Sequence, residues 1–475
     1  MAMIYIKGFR KISLLAIFLV VFLTSRAQSD LSQSVKNLTL DIGALAHDSM
    51  FGREAGTPAE LNAARYIEEQ FMEAGLKPYH NSETGFLQPF EFGDYSYGEC
   101  KLTIDGKSFI QSRDFGAIPA SANGSVFAGN VIEFNPGLSA TEETDVPFGK
   151  LILMINLKKL GYTGREGLGK ALQEADTIKA SALLLYNADQ KDFSKRLFSP
   201  DSLPASKIPV FYVSKAIAAS LTKGDMLPVS IKAEIKRKRK TAYNVIGFMD
   251  NGASRTVVIG GHFDHVGVPG NLDPKDGDPN IHNGADDNAS GTAAVIELAR
   301  QLKTEKGLKY NYMFIAFTGE EKGLYGSAHF CNSDLLRGLS VAWMLNLDMV
   351  GRFNWNGKKR VFIQGMASSK MWKPLIKSNP SRTMKLVKIK GGPAYSDHYP
   401  FLKHGIPVLY FTTGLEKEYH KPADDANLIN YEGEAMLIDY MKKLILDIDK
   451  SKDPGFRKVN GWQHTMAFIK LFIIR

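Results

Sequence analysis

Asn283-Gly284-Ala285-Asp286-Asp287-Asn288-Ala289-Ser290-Gly291 is the stretch around which the chain is organised. It sets two adjacent carboxylates, Asp286 and Asp287, in a Gly-containing turn that opens onto a helical pattern, Ser290 to Lys303. Upstream, an apolar run ends in Gly261-His262-Phe263-Asp264-His265. Downstream runs end in Thr318-Gly319-Glu320-Glu321 and Asn346-Leu347-Asp348, and Ser396-Asp397-His398 follows. Buried charge without a partner is expensive. A chain that repeatedly finishes buried-looking segments in acids and histidines is expected to bring those ends to one metal centre.

Around these motifs, strands and helices alternate from Ala242 onward. Strands are expected at Thr256 to Ile259, Tyr312 to Phe317, Val341 to Leu347, Arg360 to Gln364 and Pro407 to Phe411. Helices are expected at Ser290 to Lys303, around Lys370 to Lys377, and at Tyr431 to Ile448. Such alternation predicts an α/β fold, a mixed and mostly parallel sheet with helices on both faces. Ligand sites in these sheets lie at the carboxyl ends of strands, where the motifs fall. An earlier helix starts at Thr57-Pro58-Ala59-Glu60, with Thr57 as N-cap and Glu60 as capping-box partner, and stops at Gly75. From about Tyr95 to Lys238 short β-rich runs recur without clustered His, Asp and Glu. The expected organisation is a discontinuous domain, 28–94 and 240–450, interrupted by a β-rich insert, 95–239. The tail, 451–475, has no functional reading; its apolar end is too short to span a membrane.

The composition fits a folded soluble protein: 475 residues, 44% apolar and 23% charged. The net charge is +9, but Lys7, Arg10, Lys11 and Arg26 fall in a removable leader. Nine minus four leaves about +5, too little to argue for nucleic acid. The leader, 1–27, reads as an export signal: a basic head, an apolar run from Ile12 to Leu23, and a small-x-small end at Ser25-Arg26-Ala27. Its apolar run is short of the roughly 20 residues of a stable span. The expected destination is the periplasm or the exterior. Cys100 and Cys331 are the two cysteines, far apart in sequence, and are expected to be buried free thiols. The run Lys236-Arg-Lys-Arg-Lys240 reads as a solvated strand or linker beside a domain boundary.

His262 and Asp264 lie two apart at a strand end, hence on one face. A histidine can bind metal through one ring nitrogen while a carboxylate holds the other N–H. On the same argument His265 points the other way and is structural or behind the ligands. Asp286 and Asp287 are adjacent, so one is expected to bridge two cations while the other shapes the turn. A calcium loop is the alternative for such a turn, and for Asn271 to Asn280 with Asp273, Asp276 and Asp278. The latter segment lacks the ligand spacing of an EF-hand and its terminal Glu. Glu320 and Glu321 can divide the work of metal ligand and base. Asp348 and His398 complete two His, two Asp and one Glu as ligands. Nitrogen and carboxylate without thiolate point to zinc, and five ligands with a bridging carboxylate suit two ions.

These residues resemble the M28 family of zinc peptidases. His262-Phe-Asp264, Gly284 to Gly291, Phe317-Thr-Gly-Glu-Glu321, Asn346-Leu-Asp348 and Ser396-Asp-His398 occur in that family's order. Tyr419-His420-Lys-Pro-Ala-Asp424 resembles its late His-Thr-Pro-x-Asp segment, with Lys421 in place of Thr. The insert more loosely resembles a protease-associated domain. The resemblance implies a zinc aminopeptidase-like fold, two zinc ions per chain and peptide substrates. It implies that His262 and Asp348 hold one zinc, Glu321 and His398 the other, and Asp286 both. Glu320 is then general base and acid, and Asp264 orients His262. Asp287 then belongs to a strained turn with a non-proline cis peptide. Asp397, Tyr395 and His420 are expected behind the ligands or in the pocket, with Tyr395 a candidate for stabilising the oxyanion. Arg352 marks the alternative of a carboxypeptidase, since such an enzyme needs a cation for the substrate carboxylate. A single-zinc glutaminyl cyclase and a non-catalytic receptor-like protein are the others.

Overall fold

The computed structural model describes residues 29–79, 84–111, 113–128, 130–134, 151–158, 164–187, 205–222, 227–268, 281–354, 357, 359–390 and 396–459. The expected leader, Asn271 to Asn280, Tyr395 and the chain end from Met466 lie outside them. The described residues form two compact units. One holds the chain up to Phe90, Ala242–Val268 and everything described after 280; the other is Glu91–Thr241. Both junctions fall inside long strands, Leu87–Tyr97 and Ile235–Met249.

The larger unit is built on a nine-stranded sheet. Its order runs Lys77–Pro78, Ile235–Met249, Asn311–Phe317, Thr256–His262, Val341–Leu347, Val408–Thr412, Arg360–Gln364, Lys385–Lys388, with Leu87–Tyr97 also pairing with Ile235–Met249. The four central strands, Asn311–Phe317 to Val408–Thr412, are mutually parallel. Their residues are almost all buried, as runs such as Thr256-Val-Val-Ile and Asn311-Tyr-Met-Phe-Ile-Ala-Phe317 demand of strands covered on both faces. Register aligns their ends: His262 pairs with Phe317, and Leu347 with Phe411. The segments after Phe317, Leu347 and Thr412 therefore leave the sheet beside His262.

The covering helices follow the sequence pattern. Gly291–Lys303 follows the acidic turn, Trp372–Ser378 and Tyr431–Lys450 come later, and Pro58–Glu73 precedes the sheet. Residues 29–45 are also helical. That helix is tied down where Ser34 and Asn37 donate to the buried Glu297 carboxylate at 2.6 and 2.8 Å. Thr57 caps Pro58–Glu73 by accepting from the Glu60 N–H at 3.3 Å. Gly75 at φ 77° closes the other end, with Leu76 N–H donating to Phe71 O at 3.0 Å. Glu60 departs from the capping-box expectation. Its Oε1 instead accepts from the Tyr243 N–H at 3.0 Å, because the side chain is buried under the sheet strand rather than free to fold back.

The smaller unit holds a five-stranded and a four-stranded sheet with the helices Gly164–Thr177 and Lys215–Leu221. Its basic run sits in Ile235–Met249, where Arg239 and Lys240 meet Glu91 and Asp94 at 2.7 and 2.6 Å. Arg237 donates to the Pro119 and Ser121 carbonyls. These are local structural pairings. Cys100 and Cys331 are buried free thiols. No helix among the described residues is long and apolar enough to cross a membrane.

Burial pushes the Glu60 carboxyl up to about 8, against the lowering effect of the Tyr243 N–H. The folded chain thus holds this proton more tightly than the unfolded chain. Its stabilising contribution is complete below about pH 4.5 and is lost as pH rises through about 8. Glu60→Gln keeps an acceptor for Tyr243. It is expected to raise Tm by several degrees above pH 8 and to change it little near pH 4.5, as read by thermal denaturation across pH. An identical pH dependence in both proteins contradicts this.

Candidate metal centre

His262 closes its strand, and its carbonyl accepts from Thr292 Oγ1 at 2.8 Å, which locks the strand end to the following helix. Gly261 lies so near the neighbouring strand that a Cβ would fall 2.5 Å from Leu347 O. The acidic turn, Ala285–Ser290, is buried throughout. Asn288 anchors it: its Nδ2 donates to Leu347 O at 3.0 Å, and its Oδ1 accepts from Gly291 and Met349 N–H at 2.9 and 3.1 Å. These bonds hold the turn against the strand that delivers Asp348.

Two sets of donors face each other across this turn. His265, Asp287, Glu321 and His420 form one, and His262, Glu320 and Asp348 the other. Asp287 Oδ1 lies 3.4 Å from His262 Nε2, which itself lies 3.7 Å from Asp348 Oδ1. Asp287 Oδ2 lies 3.1 Å from His420 Nε2, which lies 2.8 Å from Glu321 Oε1. One carboxylate therefore faces both sets. The resemblance had put Asp286 in this place, and the geometry differs. Asp286 Oδ1 accepts from the Gly351 N–H at 2.9 Å, and its Oδ2 faces Arg352 Nε at 3.8 Å. Adjacent side chains of the turn point apart, so Asp286 holds backbone while Asp287 enters the centre. The cis peptide bond is Asp287–Asn288.

The second imidazole also differs from expectation. Neither donor set includes His398. It opens the helix His398–Lys403, and its ring stacks on Tyr410 with centroids 4.8 Å apart. His420, expected behind the ligands or in the pocket, instead joins His265 beside Glu321. It sits at φ 56°, a strained left-handed position for a non-Gly residue, and its ring stacks on Tyr419 at 3.8 Å. Glu320 and Glu321 are both at the centre. Asp264 receives their backbone N–H groups at 3.1 and 3.4 Å. Its own carbonyl lies 3.1 Å from His262 Nδ1, nearer than its carboxylate at 3.7 Å. Asp397 is fully buried, and its pKa is pushed up to about 6 by burial, with His262 opposing.

The electrostatics describe a site built for cations. Burial drives the Glu320 carboxyl well above its usual range, with Glu321 and Asp348 adding to the rise against His262. Burial likewise brings Asp264 up to about 7. Burial acts to lower the His420 pKa, yet the Glu321 and Asp287 carboxylates outweigh it and bring it up to about 10. Asp287 Oδ2, Glu321 Oε1, His420 Nε2 and both His265 ring nitrogens are buried without a well-aligned hydrogen bond. Such atoms are costly unless something satisfies them. Imidazole and carboxylate donors without thiolate fit zinc.

Two supporting residues have no role assigned from the sequence: Asp424, named there only as the end of the Tyr419–Asp424 motif, and Arg53. Asp424 accepts the N–H groups of Asp286 and Asp287 at 3.0–3.1 Å. Arg53 is wholly buried and donates to the carbonyls of Leu45, Phe263, Asn283 and Gly284. It thus ties the His262 loop to the Asp287 turn. Arg352 is 3% exposed and is engaged by Glu418 and Asp424 at 3.1 and 3.0 Å.

A mixed α/β sheet with a parallel centre, and imidazoles and carboxylates clustered at its strand ends, is the arrangement of a metal-dependent hydrolase. Residues 244–445 match the model of peptidase family M28. The chain is 25% identical to aminopeptidase YwaD of Bacillus subtilis, over 90% of this chain and 88% of that one. It is 25% identical to a probable lipoprotein aminopeptidase, LpqL, of Mycobacterium tuberculosis, over 71% and 63%. Its fold is similar to that of the aminopeptidase from Aneurinibacillus sp. strain AM-1, with TM-score 0.66, 24% identity, and coverage of 90% and 96%. The zinc aminopeptidase BSAP of Bacillus subtilis gives TM-score 0.56 at 21% identity, with coverage of 90% and 98%. Over residues 244–445 the chain is thus similar to peptidase family M28, and it reads as an aminopeptidase-like metalloenzyme.

Arg53→Met leaves buried carbonyls on both loops without a donor, at a cost of about 3–5 kcal/mol. The expected result is a Tm lower by at least about 5 °C and weaker metal retention on dialysis. Arg53→Lys, with one cationic head, should fall between. A wild-type Tm for Arg53→Met removes its assigned role.

Proposed function

We propose that the chain is an exported, two-zinc aminopeptidase that releases residues from the free N-terminus of peptides. The observation that carries this reading is the Asp287 carboxylate, one oxygen toward each donor set. In it, His262, Asp348 and Asp287 hold one ion, and Glu321, His420 and Asp287 the other. When bound, the ions lower the pKa of water and polarise a carbonyl.

The residues supply the rest. Glu320 sits at the centre but, in this reading, holds no ion. It takes a proton from the attacking water and returns it to the departing amine. Its carboxylate lies among the donors His262 and Asp348, within reach of a water held there, which suits both halves of that task. Asp264, gripping the Glu320 and Glu321 N–H groups, keeps the base and the ligand in fixed register. Two buried cations support the aminopeptidase direction. Arg352 is committed to Glu418 and Asp424, and Arg53 to backbone carbonyls. Neither is free to receive a substrate carboxylate, which weighs against the carboxypeptidase alternative. Export rests on the leader pattern and is supported by the lipoprotein name of one relative. The insert is proposed as a protease-associated-like domain.

Glu320→Gln should lower kcat by about 10²–10⁴-fold while metal per chain stays at the wild-type value. Near wild-type hydrolysis by that variant refutes the role of Glu320. With aminoacyl reporters against N-blocked peptides, the expected outcome is cleavage of the unblocked set alone, lost with chelator. Cleavage of the blocked set with equal efficiency contradicts the aminopeptidase reading.

A further inference from the structure

We infer that His265 is a fourth protein ligand in the Glu321–His420 site, so that the two metal sites are unequal. This rests on the two-metal reading above. One site then has four protein donors, His265, Asp287, Glu321 and His420. The other has three, His262, Asp348 and the shared Asp287.

Distances carry the inference. Four donors held tetrahedrally at about 2.0–2.1 Å from one zinc lie about 3.3 Å from each other. His265 Nδ1 is 3.2 Å from Glu321 Oε1 and 3.9 Å from Asp287 Oδ2. His420 Nε2 is 2.8 and 3.1 Å from the same two oxygens. The two imidazoles thus address one pair of carboxylate oxygens in nearly the same way. Their rings meet edge to face with centroids 5.4 Å apart, so their nitrogens converge without stacking.

Burial is an independent observation. His265 is 1% exposed, neither ring nitrogen makes a well-aligned hydrogen bond, and Nδ1 meets the Glu321 and Asp287 carboxylate oxygens. A merely structural histidine in that position leaves Nε2 without a partner and Nδ1 on poorly aligned carboxylate contacts, which is costly. A bound cation satisfies Nδ1 directly. The ring's seat is also specific. Gly284 lies against it at φ 57°, and a Cβ there would fall 2.5 Å from His265 Cγ. Alternation along the strand placed His265 facing away from His262. The strand ends at His262, however, and beyond it alternation no longer governs direction.

The extra donor predicts tighter binding at one site and an ion there that resists chelation longer. The full chain is stripped with a chelator and its zinc-binding isotherm is measured by calorimetry, with metal per chain counted after gel filtration. Wild type is expected to bind two ions. His265→Gln is expected to weaken one site at least about ten-fold and to leave the other unchanged. Unchanged affinity at both sites, or equal loss at both, overturns the role of His265. A wild-type chain that takes one ion removes the two-metal reading and this inference together. X-ray absorption on the zinc-loaded wild type needs no variant. It should count three imidazoles for every two ions; two for every two overturns the inference.

Discussion

One carboxylate with a donor set on each side is the constraint that the remainder serves. Asp287 directs Oδ1 to His262 and Oδ2 to His420, and no other described side chain belongs to contacts of both sets in this way. A side chain so placed tolerates little displacement, because metal–ligand bonds are short and directional. The fold answers with redundancy. The turn's N–H groups are held by Asp424, its carbonyls by Arg53, and its far end by Asn288. Two other segments and the turn's own Asn288 thereby fix one residue; Arg53 also reaches Phe263 O just past one strand end, and Asn288 reaches Leu347 O at another.

The crowding of acids has a second consequence. Asp264, Asp286, Asp287 and Glu320 are gathered within one buried region, where burial and neighbouring carboxylates raise their pKa values, while His420 and His265 hold Glu321 well below its usual range against burial. Arg53 and Arg352 supply fixed positive charge inside it, and Arg53 is wholly buried, its own pKa brought down to about 10 by burial. Neither guanidinium reaches the donor oxygens that face His262 and His420. Those oxygens are left for cations. The division is economical: arginines hold the backbone and the outer carboxylates, and the inner oxygens converge.

Much of this was legible in the sequence because its patterns are local. The strand runs from Thr256, Val341 and Arg360 could be read from uninterrupted apolar and β-branched residues. Each acidic motif could be placed at a strand end. What could not be read was direction within irregular segments. Asp286 and Asp287 are chemically identical neighbours, and only the three-dimensional path of the turn separates the one that holds Gly351 from the one that faces His262. Ser396-Asp-His398 resembles a ligand motif in sequence, which points to His398 rather than His420. The structure puts that motif at a helix start, while the loop carrying His420 reaches the centre through a strained backbone position. Arg53 carried no signal at all, since it works through carbonyls that every residue possesses.

Crystals of the zinc-loaded chain, examined by anomalous scattering at the zinc edge, test the central claim most directly. The account predicts two peaks about 3.5–4 Å apart, one on each side of the Asp287 carboxylate, with His262 at one and His420 at the other. A single peak, or peaks centred on Asp286 and His398, contradicts it.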